Sequence, residues 1–232
     1  MALIDKLTAI ADAIRGKTGK TDGMTLDQMV TEIEGIQTGG GSGGDDLLDA
    51  FLDGSLSGVY ENANLTTLKG YAFFGMKNLT RISLPNVVNA GEFTFYGCSN
   101  LEEFDLSNLK VGSKQMFNAC PKITSIVLPL LKEVPAQFSH SSSIVVADFP
   151  TVSVVNGQSL TVGSLRTVIL RHSAVASLRY TNALNTTNVT NGTVKVYVPG
   201  SLVESYQTAT NWSTLYAQNN NFIQPIEGSE YE

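Results

Sequence analysis

Residues 95–107 read FYGCSNLEEFDLS, and residues 116–129 read MFNACPKITSIVLP. Laid over each other, both place a Phe, then a Cys three residues on, then apolar residues at matched later positions. The frame recurs upstream in FFGMKNLTRISLP (73–85) and downstream in FSHSSSIVVADFP (138–150). Phe73, Phe95, Phe117 and Phe138 fall at spacings of 22, 22 and 21. Leu79, Leu101, Ile123 and Ile144 keep those spacings, as do Ile82, Phe104, Ile126 and Ala147, and Leu84, Leu106, Leu128 and Phe149. Pro85, Pro129 and Pro150 close three of the four runs. Four columns in register over four copies are hard to obtain by chance, and a period of this length signals a stacked repeat.

Weaker copies follow in SLRTVIL, with Leu165, Val168 and Leu170, and in VKVYVP (194–199), after an insertion rich in Asn and Thr. NANLTTLKGYAF (62–73) reads as the second half of an earlier, degenerate copy. Each L-x-x-I-x-L run alternates apolar and polar, the period of a half-buried strand. One such unit cannot bury its apolar face alone. Stacking units makes a continuous core, with one short strand from each unit in a shared sheet. The expected fold is a mostly β solenoid (α+β once its helices are counted), a short stack of about five to six coils. The repeated Phe fills the interior, and Pro ends each strand.

The ends differ from the repeats. Residues 1–36 carry two amphipathic helical patterns. Leu3, Leu7, Ile10, Ala11 and Ile14 line one face; Leu26, Met29, Val30 and Ile33 line the other. Thr25 and Gln28 suit a capping box. Two short helices cannot bury a core by themselves, so this module is expected to dock through Leu7, Ile10, Ile14, Leu26, Met29 and Ile33. Residues 37–44 form a Gly/Ser linker. Residues 45–226 form the repeat domain with its caps: a helix over 45–53, then a short helix after Pro199 to about Thr208. Trp212 packs over the final coil, and a last strand falls near FIQPI. Residues 227–232 form an acidic tail, expected to fray.

Composition narrows the function. The 232 residues are 16% charged, with a net charge of −6, while Ser, Thr and Asn number 21, 22 and 17. A phosphate-backbone binder shows a basic face, so nucleic acid is not an expected partner. No apolar run approaches a membrane span, and no secretory signal peptide opens the sequence. Two Cys and two His leave little for a metal cluster, and no cofactor is expected.

The F-x-x-C…L-x-x-I-x-L-P unit resembles BspA-like leucine-rich repeats over roughly residues 65–200, with Met76 and Ser141 in place of the repeat's Cys. AIADAIRGKTGKTDGMTLDQMVTEIEGI (9–36) looks like a module that opens structural proteins of phages and prophages of Gram-positive hosts. VYVPGSLVESYQTATNWSTLYAQ (196–218) is similar to a segment that often closes such repeats in the same proteins. The resemblance implies a non-enzymatic virion protein: a tail, baseplate or fibre component displaying a repeat domain for host binding. A head appendage or decoration protein and a bacterial surface adhesin are the alternatives. Its implied partners are other virion proteins through the N-terminal helices and a host cell-surface glycan or protein. By analogy the chain is a homo-oligomer, and a trimer would fit.

Single residues add little chemistry. Cys98 and Cys120 share one column; the reading that fits is a small buried residue in a turn, set against a disulfide or a pairing of Cys120 with His140. His172 follows a strand without an acid at triad spacing. Asp45, Asp46, Asp49 and Asp53 suit a helix cap and lack a calcium-loop pattern. Arg81, Glu102, Asp105, Lys122 and Thr124 form a polar outer wall, equally suited to binding and to plain solvation.

Overall fold

The computed structural model describes residues 56–140 and 143–232. Strands are numbered in chain order. One wall of the solenoid is built from β1 (Gly58–Glu61), β3 (Leu79–Ser83), β5 (Glu103–Asp105), β6 (Ser125–Val127), β8 (Val146–Asp148), β10 (Thr167–Ile169), β12 (Lys195–Val198) and β13 (Ile223–Pro225). All ladders are parallel, as coils of one handedness require. Arg81 pairs with Glu103, Ser125 with Val146, and Val146 with Thr167, one coil apart each time. The chain is therefore a β-solenoid of about five coils, widened by the longer connections before β12 and β13.

The wall is divided. One sheet runs β1-β3-β5 and another β6-β8-β10-β12-β13, with no ladder between β5 and β6. A second wall repeats the division. It contains β2 (Thr67–Leu68) with β4 (Asn89–Ala90), then β7 (Glu133–Val134), β9 (Val154–Val155) and β11 (Ser177–Leu178). An isolated bridge joins Asn89 to Val111.

Alternation on the strands sends one set of side chains inward. Leu79, Ile82, Leu84, Val87, Leu101, Ile123 and Ile126 are fully buried. Each such burial stabilises the stack by about 1.5–3 kcal/mol. The aromatic column forms over its first three members, and Phe138 reaches it from the neighbouring column. Phe73 stacks on Phe95 at 5.4 Å, Phe95 on Phe117 at 5.4 Å, and Phe117 meets Phe138 edge-on at 5.3 Å. Polar turn residues fasten coil to coil. Asn86 donates to the Ala63 carbonyl at 2.8 Å, Asn108 to Pro85 at 2.7 Å, and Thr151 to Pro129 at 3.0 Å. The excess of Asn and Thr thus has a structural cause.

Three expectations change. The first copy has its strand, because Gly58–Glu61 pairs with β3. Phe138 does not share the column of Phe73, Phe95 and Phe117. The Phe117 N–H bonds the Phe138 carbonyl as the Phe95 N–H bonds that of Met116. Phe138 therefore sits in the column of Met116, and the shortening lies beyond His140. The acidic tail does not fray. Tyr231 meets Tyr197 edge-on at 4.7 Å and lies 3.2 Å from the Thr167 hydroxyl, while Glu227 accepts the Gly200 N–H at 2.7 Å.

The C-terminal cap is helical, as expected: α1 (Thr186–Thr190) fills the Asn/Thr insertion, and α2 (Val203–Thr208) and α3 (Trp212–Tyr216) follow β12. β11 is an open edge, which a solenoid must cover. Side chains do so. Tyr206 accepts the Ala176 N–H at 2.9 Å, Trp212 donates to the Ala176 carbonyl at 2.7 Å, and Asn211 donates to Leu178 at 2.7 Å. The expected helices in 1–36, the linker 37–44 and the helix over 45–53 lie outside the described residues.

Candidate binding surface

Between the two walls each coil turns through a left-handed residue. Tyr71, Phe93, Gln115, Gln137 and Gln158 have φ of 66°, 56°, 56°, 55° and 56°. Left-handed backbone costs an L-residue roughly 1–2 kcal/mol, which is why Gly and Asn usually take it. Here five successive coils place long side chains there. Their side chains ladder along the stack. Tyr71 and Phe93 lie parallel, with centroids 5.0 Å apart. Gln115 donates to Gln137 at 2.8 Å, and Gln137 to Gln158 at 3.1 Å.

A second column runs three residues later. Phe74 and Tyr96 stack at 5.1 Å with planes 3° apart. Phe93 tilts against Tyr96 at 5.8 Å, so the four rings form one half-exposed patch. The column continues through Asn118 to His140 and Thr161, which lie 3.1 Å apart. The backbone fixes this register: the Gly75 N–H bonds Tyr96, Gly97 bonds Asn118, and Ala119 bonds His140. Asn118 is 7% exposed. Its Oδ1 is buried without a hydrogen-bond partner, alone in this among the described residues. Nearby charge cancels, with Lys114 and Glu92 paired at 3.2 Å.

Sequence reasoning passed over these columns. Their signal was present in the same 22-residue spacing, two residues before each of Phe73, Phe95 and Phe117 and one residue after it. They escaped notice because they are neither apolar throughout nor typical turn residues.

The expected polar wall is assembled only in part. Arg81 in β3 meets Glu103 at 3.8 Å, and Glu102 meets Lys122 at 2.8 Å. Such exposed pairs contribute at most about 1 kcal/mol each. Asp105 turns back to accept the Ser107 N–H at 3.0 Å. Thr124 lies across the division from Arg81 and Asp105, and its carbonyl accepts the Val145 N–H at 2.7 Å. The docking residues Leu7, Ile10, Ile14, Leu26, Met29 and Ile33 lie outside the described residues, as do Asp45, Asp46, Asp49, Asp53 and Ser141.

Cys98 and Cys120 are free and fully buried. Their thiols donate to the Phe73 and Phe95 carbonyls, each at 3.0 Å. Burial pushes the Cys98 thiol up to about 12 and raises that of Cys120 as well. A thiol held neutral this way is a poor nucleophile. His140 is engaged with Thr161, and His172 folds onto the backbone of Ala174 at 3.1 Å. Arg171 grips Asp148, one coil back, at 3.2 Å. Among the described residues no cluster of His, Cys, Asp and Glu could hold a metal ion, and no helix is long and apolar enough to cross a membrane.

Parallel coils, one strand each, with a continuous aliphatic and aromatic interior, define a repeat protein of the leucine-rich class. Residues 48–160 match the BspA type leucine rich repeat region in six copies. The match begins at residue 48, and residues 1–47 stand outside it. No curated protein matches the chain.

Among solved structures, the pneumococcal vaccine antigen PcpA aligns over 71% of this chain and 40% of its own. Its TM-score is 0.50 at 15% identity, a likeness of fold. A leucine-rich repeat protein from Bacteroides ovatus aligns over 61% of this chain and 50% of its own, at 17% identity and a TM-score of 0.37. A leucine-rich cell surface protein from Faecalibacterium prausnitzii aligns over 51% and 40%, at 14% identity and a TM-score of 0.35. The chain thus spans half or less of the length of each.

Proposed function

We propose that the chain is a non-enzymatic binding protein whose solenoid is displayed to recognise a cell surface. The observation that carries this reading is the pair of laddered columns on the turn side. Five coils hold Tyr, Phe and Gln in left-handed backbone, and four of the rings stand half in solvent. Stability alone favours Gly or Asn at such positions. A BspA-type repeat block suits the role, since stacked coils give a long surface on which weak contacts add.

The finer reading places the protein on a virion, at the tail or head surface of a phage or prophage of a Gram-positive host. Support comes from residues 9–36 and 196–218, which resemble segments of phage structural proteins. In this reading residues 1–36 dock to other virion proteins or to copies of the chain, the linker gives reach, and a symmetric hub makes weak contacts avid. A bacterial surface adhesin is the second reading, favoured by the BspA-type match itself.

Quantitative peptide mass spectrometry of purified particles and of cell envelopes from the producing strain separates the two. Enrichment in particles, lost when residues 1–36 are deleted, is the expected result. Recovery in envelopes alone rejects the virion reading and leaves the adhesin. Turnover of wall polysaccharide by the purified chain rejects the non-enzymatic role.

A further inference from the structure

We propose that the cleft between β11 and the turn joining α2 to α3 binds a carboxylate carried on a short apolar body. The inference goes beyond surface recognition. The cleft lies at the end of the second wall, and none of the laddered Tyr, Phe and Gln residues lines it.

The cleft follows from where that wall stops. β11 is its last strand, and no further coil supplies a strand to pair with it. The N–H groups of Ser177 and Arg179 bond back to the Ser153 and Val155 carbonyls, at 2.8 and 2.9 Å. In a parallel ladder alternate residues face opposite neighbours, so Ala176 and Leu178 turn their backbone groups to the open side. Tyr206, Trp212 and Asn211 meet three of those four groups. The fourth, the Leu178 N–H, has no acceptor among the described residues. At this place the chain leaves a half-open cleft of about 380 Å³, lined by Leu178 and the residues around it. That volume falls within the range of small-ligand sites. Asn211 fixes the opposite side: its amide reaches the Leu178 and Arg179 carbonyls at 2.7 and 3.2 Å. The cleft is thus formed before any ligand arrives, which spares binding the cost of ordering it.

The lining selects the ligand. An unmet N–H asks for an acceptor. Arg179 also lines the cleft, is exposed and has no ion-pair partner, and no acidic side chain lines it. The acceptor is therefore favoured as an anion. A carboxylate divides its two oxygens between one N–H and one guanidinium, both charge-assisted bonds. Val175, Ala209 and Trp212 give the cleft an apolar side for the body of the ligand. A phosphate would turn further charged oxygens against those apolar groups, which is costly. Two sources carry the favoured chemistry, the carboxyl end of a peptide and a free amino acid.

The test uses the full chain, whose single Trp is Trp212 and so reports on the cleft it lines. N-acetyl-leucine, free leucine, a tripeptide ending in leucine, N-acetyl-leucine amide and inorganic phosphate are titrated by fluorescence and by calorimetry. Arg179→Gln removes the cation, and Ala209→Leu fills the cleft. Arg179 is exposed, so its replacement leaves the packing intact and gives a reading even where Ala209→Leu fails to fold.

We expect at least one leucine carboxylate to bind, the amide to bind at least about tenfold more weakly, and Arg179→Gln to weaken the carboxylate about tenfold at an unchanged unfolding midpoint. Ala209→Leu should abolish binding. Tightest binding by the tripeptide assigns the cleft to a peptide end, and tightest binding by free leucine assigns it to an amino acid. Equal binding of amide and carboxylate, or of phosphate and carboxylate, overturns the ligand class. No signal from any carboxylate at millimolar concentration, or full binding by Arg179→Gln, overturns the site. Surface recognition stands or falls separately, on the particle and envelope measurement above.

Discussion

Gly97 and Ala119 occupy one structural position in neighbouring coils, and exchanging their identities should move stability in opposite directions. Both are left-handed, with φ of 75° and 55°. A Cβ built on Gly97 meets only Gly75, at 3.7 Å from its Cα, which is ordinary van der Waals contact. Space therefore plays no part, and the whole effect is torsional. Ala in this region costs roughly 1–2 kcal/mol. Replacing Gly also removes unfolded-state freedom, which returns about 0.4–1 kcal/mol. Gly97→Ala should thus destabilise by about 1 kcal/mol, and Ala119→Gly should stabilise by about the same.

For a chain of this size, each kcal/mol shifts the thermal midpoint by about 2–4 °C. The assay is thermal and urea unfolding followed by far-UV dichroism and by Trp212 fluorescence. Stacked coils can unfold in blocks, so midpoints are compared within one probe. The double variant should return toward the parent midpoint, and a remainder above about 0.5 kcal/mol measures the coupling between the two adjacent turns. Shifts of the same sign in the two single variants, or none for Gly97→Ala, would show that the left-handed turn carries no cost here.

Gly91 tests the opposite limit, sterics without torsion. A Cβ there would lie 2.8 Å from the Gly70 Cα and closer still to its nitrogen, at a backbone crossing that cannot yield. Gly91→Ala should cost at least about 1–3 kcal/mol, seen as a lower urea midpoint. The buried thiols predict a pH effect. Burial raises Cys98 to about 12, whereas an unfolded thiol titrates near 8.5. The folded state therefore holds its proton longer. The thiol's contribution is complete below about pH 8.5 and falls as pH rises toward 12. Urea midpoints should decline from about pH 8.5 to about pH 10.5, and a Cys98→Ala/Cys120→Ala variant should show a smaller decline. Equal slopes would mean that the thiols are not shielded.

The interior was legible in the sequence because burial has a period. Leu79, Leu101 and Ile123 recur every 22 residues, and each is fully buried one coil above the last. The cap was legible for a similar reason: Pro199 turns the chain, and a lone Trp212 amid polar residues has only the last coil to cover. The outer columns were not. Tyr, Phe and Gln do not announce left-handed backbone, and apolar patterning says nothing about which exposed side chains ladder. The register of Phe138 was misread because spacing alone cannot tell where in a coil a residue is lost; only the carbonyl that Phe117 bonds decides it. The pairing of Asp148 with Arg171 was hidden because it depends on that register. The tail was misread because its acidic residues suggested solvation, while Tyr231 had a wall to lie on.

The division between β5 and β6 interrupts the strand ladder of the main wall. Where the strand ladder is absent, other bonds carry the junction: Lys122 to Glu102 at 2.8 Å, Gln115 to Gln137 at 2.8 Å, Phe104 on Phe117 at 4.8 Å. The Lys122–Glu102 pair is exposed and stabilises little in water. The backbone still crosses the junction away from the strand wall, where the Lys132 N–H bonds the Lys110 carbonyl at 3.1 Å and the Phe117 N–H bonds that of Phe138 at 3.0 Å, so cohesion there rests on the turns and not on the strands.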